Sequence, residues 1–389
     1  MTAITDFEGT ITTDGAGTLE SLDGTDLDEF DLSSGKFLRL TLLIDDVSDI
    51  GNLNFFVGIT DVLTNSIKWR FDAETASSKI GKSGEVFVVT LQLAEINAVA
   101  GSITLSDRGV PSTTSGFTEV RLQASDDTTG AINVTLLKTE VVTPSLAGGY
   151  VSITFDDGYD STIELAYPRM KSLGFLGTVY PSFDEVGETN HATLVELRGL
   201  AGWEVGGHHS TAFTAVDADA ARTTLADVKA WLDENFQPNR GYPRGHSLAY
   251  PLGRYEDTTD AVSIETLAVE AGFGNGRTIL AEVGVSTHAQ INALPPALPY
   301  RLYGMSSISD QAASGSPART DRLIGVGGVL DKVAENGGWL ILVFHEVVTG
   351  SAASALECTE EDFNSIMQAI AARDLTVLPV HRVLELAGV

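Results

Sequence analysis

The run Val151-Ser152-Ile153-Thr154-Phe155-Asp156-Asp157-Gly158-Tyr159 is rich in β-branched and aromatic residues and stops at two adjacent carboxylates and a glycine. Such side chains favour a pleated strand, and Asp-Asp-Gly turns the chain readily. Downstream the pattern recurs. Short apolar strands are predicted at 151–155, 177–181, 203–207, 247–250, 272–276, 301–305, 339–344 and 376–380, with longer amphipathic stretches between them. Helices are expected at 218–234 and 360–373, the second opened by Thr359 with Asp362 as its capping-box partner. Eight strand and helix units predict a (β/α) barrel, whose chemistry sits where the strands end, at the C-terminal mouth.

Upstream the rhythm differs. Pro144 and Gly148-Gly149 mark a joint at 143–149. Before it, β-type runs at 36–43, 53–60, 66–71, 86–93, 119–124 and 131–138 are separated by Gly, Asp, Asn and Ser, with no helical period between them. The expected fold is therefore multidomain: an all-β sandwich or jelly roll over 1–145, then a deformed (β/α) barrel over 146–389.

Composition narrows the setting. The 389 residues carry 24 Lys and Arg against 53 Asp and Glu, a net charge of −29, and only 8 of the cations are lysine. Such a surface repels nucleic acid and anionic membranes, so neither is an expected partner. It also suits molar salt, where the Debye length falls to about 3 Å and the charge excess is screened. An ordinary acidic extracellular protein has the same sign of charge. The longest obvious apolar run, 339–344, is too short to span a bilayer. The opening MTAITDFEGT has neither the positive start nor the apolar centre of a secretory signal. One cysteine, Cys358, excludes an intrachain disulfide and a cysteine-built zinc site, and reads as a buried or idle thiol.

Four strand ends carry candidate chemistry. The first delivers Asp156 and Asp157 together, and one carboxylate can hold a divalent cation while the other stays free as a general base. An Asp-Asp-Gly turn is the plainer alternative. The third strand ends in Gly206-Gly207-His208-His209, and imidazole with carboxylate is a usual zinc pairing. The fourth ends in Tyr250-Pro251-Leu252-Gly253, a rigid turn able to aim backbone N–H groups inward, and the seventh in Phe344-His345-Glu346.

These pieces, 152–159, 202–208 (Gly-Trp-Glu-Val-Gly-Gly-His), 249–253 (Ala-Tyr-Pro-Leu-Gly) and 338–345 (Gly-Trp-Leu-Ile-Leu-Val-Phe-His), resemble the polysaccharide deacetylase family, also called the NodB-homology or family 4 carbohydrate esterase domain. The resemblance runs from Gly149 to Val389. It implies Asp156 as general base, Asp157 and His208 as metal ligands, His345 as the acid that protonates the departing amine, and Tyr159, Tyr250, Pro251 and Gly253 as substrate-facing. The implied cofactor is a divalent metal, Zn²⁺ with Co²⁺ or Mn²⁺ as alternatives. The implied reaction is N-deacetylation of a cell-surface polysaccharide of the N-acetylglucosamine type.

The pattern departs from the family in two places. Where the family has a second histidine, four residues after the first, this chain has Ala212, followed by Phe213. Where many members carry an arginine in the third motif, it has Ala249. His209, His191 and His381 are the candidates to replace the missing ligand. His246, ahead of its strand, is expected at the wrong end of the barrel, and His288 falls in a loop with no assigned place.

The alternative to hydrolysis is a catalytically weakened barrel that binds a glycan or glycoprotein receptor. An extracellular substrate without an export signal fits a virion surface, such as a tail component beside other virion or identical subunits, or secretion by another route. The N-terminal half is expected to bind glycan or mediate assembly, with Trp69 and Phe71 in its core or stacked on sugar. Gly81-Lys82-Ser83 lacks the upstream glycine of a phosphate loop. Gly325-Val326-Gly327-Gly328 does not follow a strand, and Asn133-Val134-Thr135, a glycan-acceptor pattern, falls within one.

Overall fold

Alternating burial along Phe37–Ile44 and Glu119–Asp126 sends every second side chain inward, as a half-buried strand requires. The structure, a computed structural model, describes residues 2–4, 7–60, 64–72, 83–92, 103–105, 114–236, 246–282, 291–306, 308, 323–354 and 356–389. It divides into two compact units, one of residues 1–148 with 284–293 and 335–338, the other of 149–283, 294–334 and 339–389. The strands of the first are β1 (Thr2–Ala3), β2 (Gly9–Thr12), β3 (Glu20–Gly24), β4 (Phe37–Ile44), β5 (Ile50–Gly58), β6 (Ser66–Asp72), β7 (Val86–Leu91), β8 (Ile103–Leu105), β9 (Glu119–Asp126) and β10 (Asn133–Val142).

They form two antiparallel sheets, β1-β10-β4-β7 with β2 beside β10, and β3-β9-β5-β6-β8. Leu38, Leu40 and Leu42 of one sheet and Leu53, Phe55 and Leu122 of the other share a single core. All six predicted strands are present. The sequence reading missed β8, only three residues long, and the polar strands β1, β2 and β3, whose few apolar side chains give no clear alternation. Trp69 is packed in this core, and its indole N–H donates to the Gln92 carbonyl at 3.2 Å. The Phe71 side chain, Gly81-Lys82 and His288 lie outside the described residues. Asn133-Val134-Thr135 opens β10.

The second unit has β11 (Gly149–Asp157), β12 (Thr178–Pro181), β13 (Glu204–Val205), β14 (Ser247–Ala249), β15 (Asn275–Glu282), β16 (Leu302–Ser306), β17 (Gly338–Phe344), β18 (Glu346–Val348), β19 (Glu357–Thr359) and β20 (Thr376–Val377). Its helices are α1 (Tyr167–Ser172), α2 (Leu194–Arg198), α3 (Ala218–Asn235), α4 (Ile264–Ala271), α5 (Val329–Asn336), α6 (Glu360–Ala372) and α7 (Val380–Ala387). The parallel sheet runs β13-β12-β11-β17-β16-β15-β14, with β20 beside β11. A parallel bridge between Gly207 and Leu248 joins its two edges: Gly207 N–H donates to the Ser247 carbonyl and Ala249 N–H to the Gly207 carbonyl, each at 2.9 Å. The sheet is thus a nearly closed barrel of seven strands.

The eighth predicted strand is corrected. β20 has two residues, paired with Tyr150 and Val151 at the start of β11, and after Pro379 the chain turns into α7. The Thr359 side chain caps α6 by accepting from the Asp362 N–H, as expected. Gly325 to Gly328 form a turn leading into α5, and Cys358 is buried. Among the described residues no helix is long and apolar enough to cross a membrane.

Candidate functional site

Successive residues of a strand point to opposite faces, so Asp156 and Asp157 would ordinarily part company. Asp156 points into the barrel lumen, where it is 2% exposed and both its oxygens accept from Arg277 Nη2, at 2.5 and 2.6 Å. Asp157 adopts a left-handed φ of 64°, uncommon for a residue with a side chain. That twist carries its carboxylate back over the mouth, where Oδ1 lies 3.5 Å from His208 Nε2 and accepts from Ser182 Oγ at 3.4 Å.

His208 arrives from the far side of β12, three residues after β13 ends. Its Nδ1 donates to the Ala249 carbonyl at 2.8 Å, which leaves Nε2 facing Asp157, where it donates when the ring is charged and offers a lone pair when it is neutral. Burial opposes the charge on His208, but the Asp157 hydrogen bond and the charges of Asp156 and Asp157 outweigh it and raise its pKa. For Asp157 burial likewise acts upward, and the hydrogen bond and charge of His208 with the charge of His345 leave it below the usual carboxylate range. His345 follows the last residue of β17. Burial lowers its pKa against the opposing pull of Asp156 and Asp157, with Arg277 and His208 pushing further down. Asp156, Asp157, His208 and His345 therefore share one electrostatic neighbourhood at the strand ends.

The remaining candidates are placed elsewhere or differently. His209 turns away from the carboxylate pair: its Nε2 is 3.8 Å from Asp184 and its Nδ1 accepts from Thr211 N–H. His191 stacks on Tyr159 with ring centroids 4.9 Å apart, and its Nε2 is 3.5 Å from Glu185. His381 is corrected to the opposite end of the barrel. It lies in α7 against Glu204, the first residue of β13, because the chain turned helical at Val380. His246, just before β14, lies 3.4 Å from Asp233.

Tyr250 is corrected too. It is fully buried, its hydroxyl donating to the Tyr300 carbonyl at 3.1 Å, so its ring packs beneath the turn and is not on the open surface of the mouth. Pro251 and Gly253 are buried with it, and Leu252, 73% exposed at a left-handed φ of 56°, is the part of this turn that faces solvent. Tyr159 stays at the mouth beside His191.

The donor chemistry can be tested against a divalent cation. Two ligands each about 2.0–2.2 Å from one tetrahedral ion stand roughly 3.3–3.6 Å apart. The 3.5 Å between Asp157 Oδ1 and His208 Nε2 fits that spacing. Among the described residues no three His, Cys, Asp or Glu side chains are placed to hold one ion together, and Ala212, itself buried, offers only a methyl group. Asp157 and His208 fit as two protein donors of an open site.

The sequence reading missed Arg277. Its fifth strand is placed at 272–276, ending just before Arg277, whereas β15 runs Asn275–Glu282, because Gly272, Gly274 and Gly276 blur the strand pattern. The available signal was an arginine immediately before Thr278-Ile279-Leu280, since a charge inside an apolar strand must find a buried partner.

No protein-family model matches the chain. Over 113 residues, 28% of its length, it is 27% identical to "Putative polysaccharide deacetylase YxkH" of Bacillus subtilis (strain 168) and spans 39% of that protein. Among solved structures it is similar to the Streptococcus pyogenes deacetylase PplD in complex with acetate, at 20% identity and TM-score 0.32, covering 40% of this chain and 62% of that one. A family 4 acetyl xylan esterase from Clostridium thermocellum, in complex with a cobalt ion, gives 15% identity and TM-score 0.37 over 62% of this chain and 92% of that one. The four motifs of the barrel resemble the polysaccharide deacetylase family, and the Bacillus relative carries the same name.

Proposed function

We propose that the barrel hydrolyses the N-acetyl amide of a glycan, releasing acetate and a free amine. The observation that carries this reading is the gathering of Asp156, Asp157, His208 and His345 at one barrel mouth from three separate strand ends. A divalent cation held by Asp157 and His208, Zn²⁺ or else Co²⁺ or Mn²⁺, would supply a Lewis acid that polarises the acetamide carbonyl. Asp156 takes the proton of the attacking water as the water oxygen bonds to the carbonyl carbon. His345 gives a proton to the amide nitrogen as the C–N bond breaks, and its lowered pKa makes it a ready donor once charged. Tyr159, stacked on His191 at the rim, and the exposed Leu252 are the surfaces a sugar ring would meet.

The substrate we favour is a cell-surface polysaccharide of the N-acetylglucosamine type, met outside the cell. The N-terminal unit, read as a jelly roll, would hold glycan or neighbouring subunits. Ala212 supports a second reading, a barrel that binds its glycan with little or no turnover, as a receptor-binding protein on a virion tail would.

Acetate release from N-acetylglucosamine oligomers, measured in molar KCl with Zn²⁺, Co²⁺ or Mn²⁺ supplied, separates the two. Asp156→Asn should abolish the release. If wild type and Asp156→Asn bind the oligomer equally and neither releases acetate with any of these metals, the binding reading replaces the hydrolytic one.

A further inference from the structure

We propose that Arg277 is a positioning residue for Asp156, holding its carboxylate in the orientation that accepts the proton of water, and that it reaches this carboxylate from the strand beside position 249, where many family members carry an arginine. This rests on the hydrolytic reading above. Ala249 and Arg277 are register partners on adjacent parallel strands, and both are fully buried. Register partners in a parallel pair present their side chains to the same face, about 4.8 Å apart. Arg277 thus stands one strand to the side of position 249 and reaches the lumen.

The lumen is shaped around it. A Cβ on Gly304 of β16 would stand 2.8 Å from Arg277 Cδ and 2.7 Å from Val343 Cγ2, so β16 is bare where the arginine crosses. The guanidinium carbon lies 5.4 Å from the ring centroid of Tyr180, the β12 residue in register with Asp156. That ring face offsets part of the cost of burying the charge. Arg277 Nε and Nη1 have no acceptor among the described residues, and both bonds of Nη2 go to the one carboxylate. A side chain placed only for packing would not send all its hydrogen bonding to a single group at the mouth. With Nη2 between its two oxygens, Asp156 cannot rotate freely, and its outer lone pairs stay turned to the mouth.

The test compares acetate release by wild type, Arg277→Met, Arg277→Lys and the double variant Ala249→Arg/Arg277→Met. For Arg277→Met, kcat should fall about 10²-fold with KM within threefold, the loss expected when a reacting group is misplaced by about an ångström. The double variant should recover at least about tenfold of that loss, which a merely structural role would not predict. Wild-type kcat in Arg277→Met, or no recovery in a folded double variant, overturns the proposal. If Arg277→Met does not fold, Arg277→Lys decides, because its shorter side chain should cost kcat about tenfold. Wild-type kcat there is equally fatal. No acetate from wild type refutes the hydrolytic reading, and the positioning role falls with it. Melting curves of Arg277→Met, Asp156→Asn and the two combined then show separately whether the pair forms. A combined variant no less stable than Arg277→Met is the mark of the pair, and additive losses are the mark of its absence.

Discussion

Ala212, four residues after His208, limits the chemistry of the mouth because it is buried and brings no donor side chain. Ala212→His should add a protein ligand and tighten Zn²⁺ or Co²⁺ binding by at least about tenfold in a calorimetric titration, since ligand count governs affinity. Unchanged affinity would mean that position 212 does not face Asp157 and His208. His208 carries a second expectation. Burial lowers its pKa, but Asp157 and Asp156 raise it more, to a net value above the ordinary 6.5. A metal needs the neutral ring, so protons compete with it, and affinity should fall by up to about tenfold per pH unit below that raised pKa. The same affinity at about pH 6 and pH 8 would remove His208 from the ligand set.

At the scale of elements, the two ends of β13 do different work. Its outgoing end leads to His208, while Glu204 at its incoming end anchors the barrel floor. The Glu204 carboxylate accepts from Ser247 Oγ, from Thr178 Oγ1 at 2.9 Å and from the His381 backbone N–H at 3.1 Å, which ties α7 to β12 and β14. Burial pushes its pKa up, and the charge and hydrogen bonds of His381 with the Ser247 bond push it further down, leaving it below 4.5. A carboxylate with a depressed folded pKa adds stability above its unfolded pKa, about 4.3, and loses it as pH falls through the folded value. Glu204→Gln should therefore lower stability at pH 7 by about 3 kcal/mol and flatten the loss on acidification below about pH 4.5. Chemical denaturation at pH 7 and pH 4 measures both. An unchanged midpoint at pH 7 would show that the floor does not depend on this carboxylate.

For the whole molecule the dominant fact is charge. With 53 acids against 24 cations, several of the cations are already committed, Arg277 to Asp156, Arg301 to Glu265 and Arg39 to Glu140. The uncompensated acids repel one another across the surface, and screening relieves that cost. The melting temperature should rise between about 0.1 M and about 2 M KCl, with chloride used because sulfate would also strengthen apolar burial. A flat or falling curve would leave the acidity without a role in salt tolerance. The barrel and its mouth do not depend on the outcome.

What could be read from the sequence is what depends on neighbours along the chain. Periodicity placed β4, β9, β11 and β17, the Thr359 cap opened α6, and Asp156, Asp157, His208 and His345 stood out because each lies at the end of an apolar run. Tertiary structure alone decided the rest. The Gly207–Leu248 bridge joins the barrel edges across strands some forty residues apart, and no local pattern announces it. Pro379 turns the last predicted strand into α7 and so sends His381 to the floor, while the Tyr300 carbonyl draws the Tyr250 hydroxyl inward. Arg277 meets Asp156 only because register sets it level with Ala249 while Gly304 leaves its path clear. Register and the volume left inside a closed sheet belong to pairs of distant segments, so they exist only once the strands have found one another.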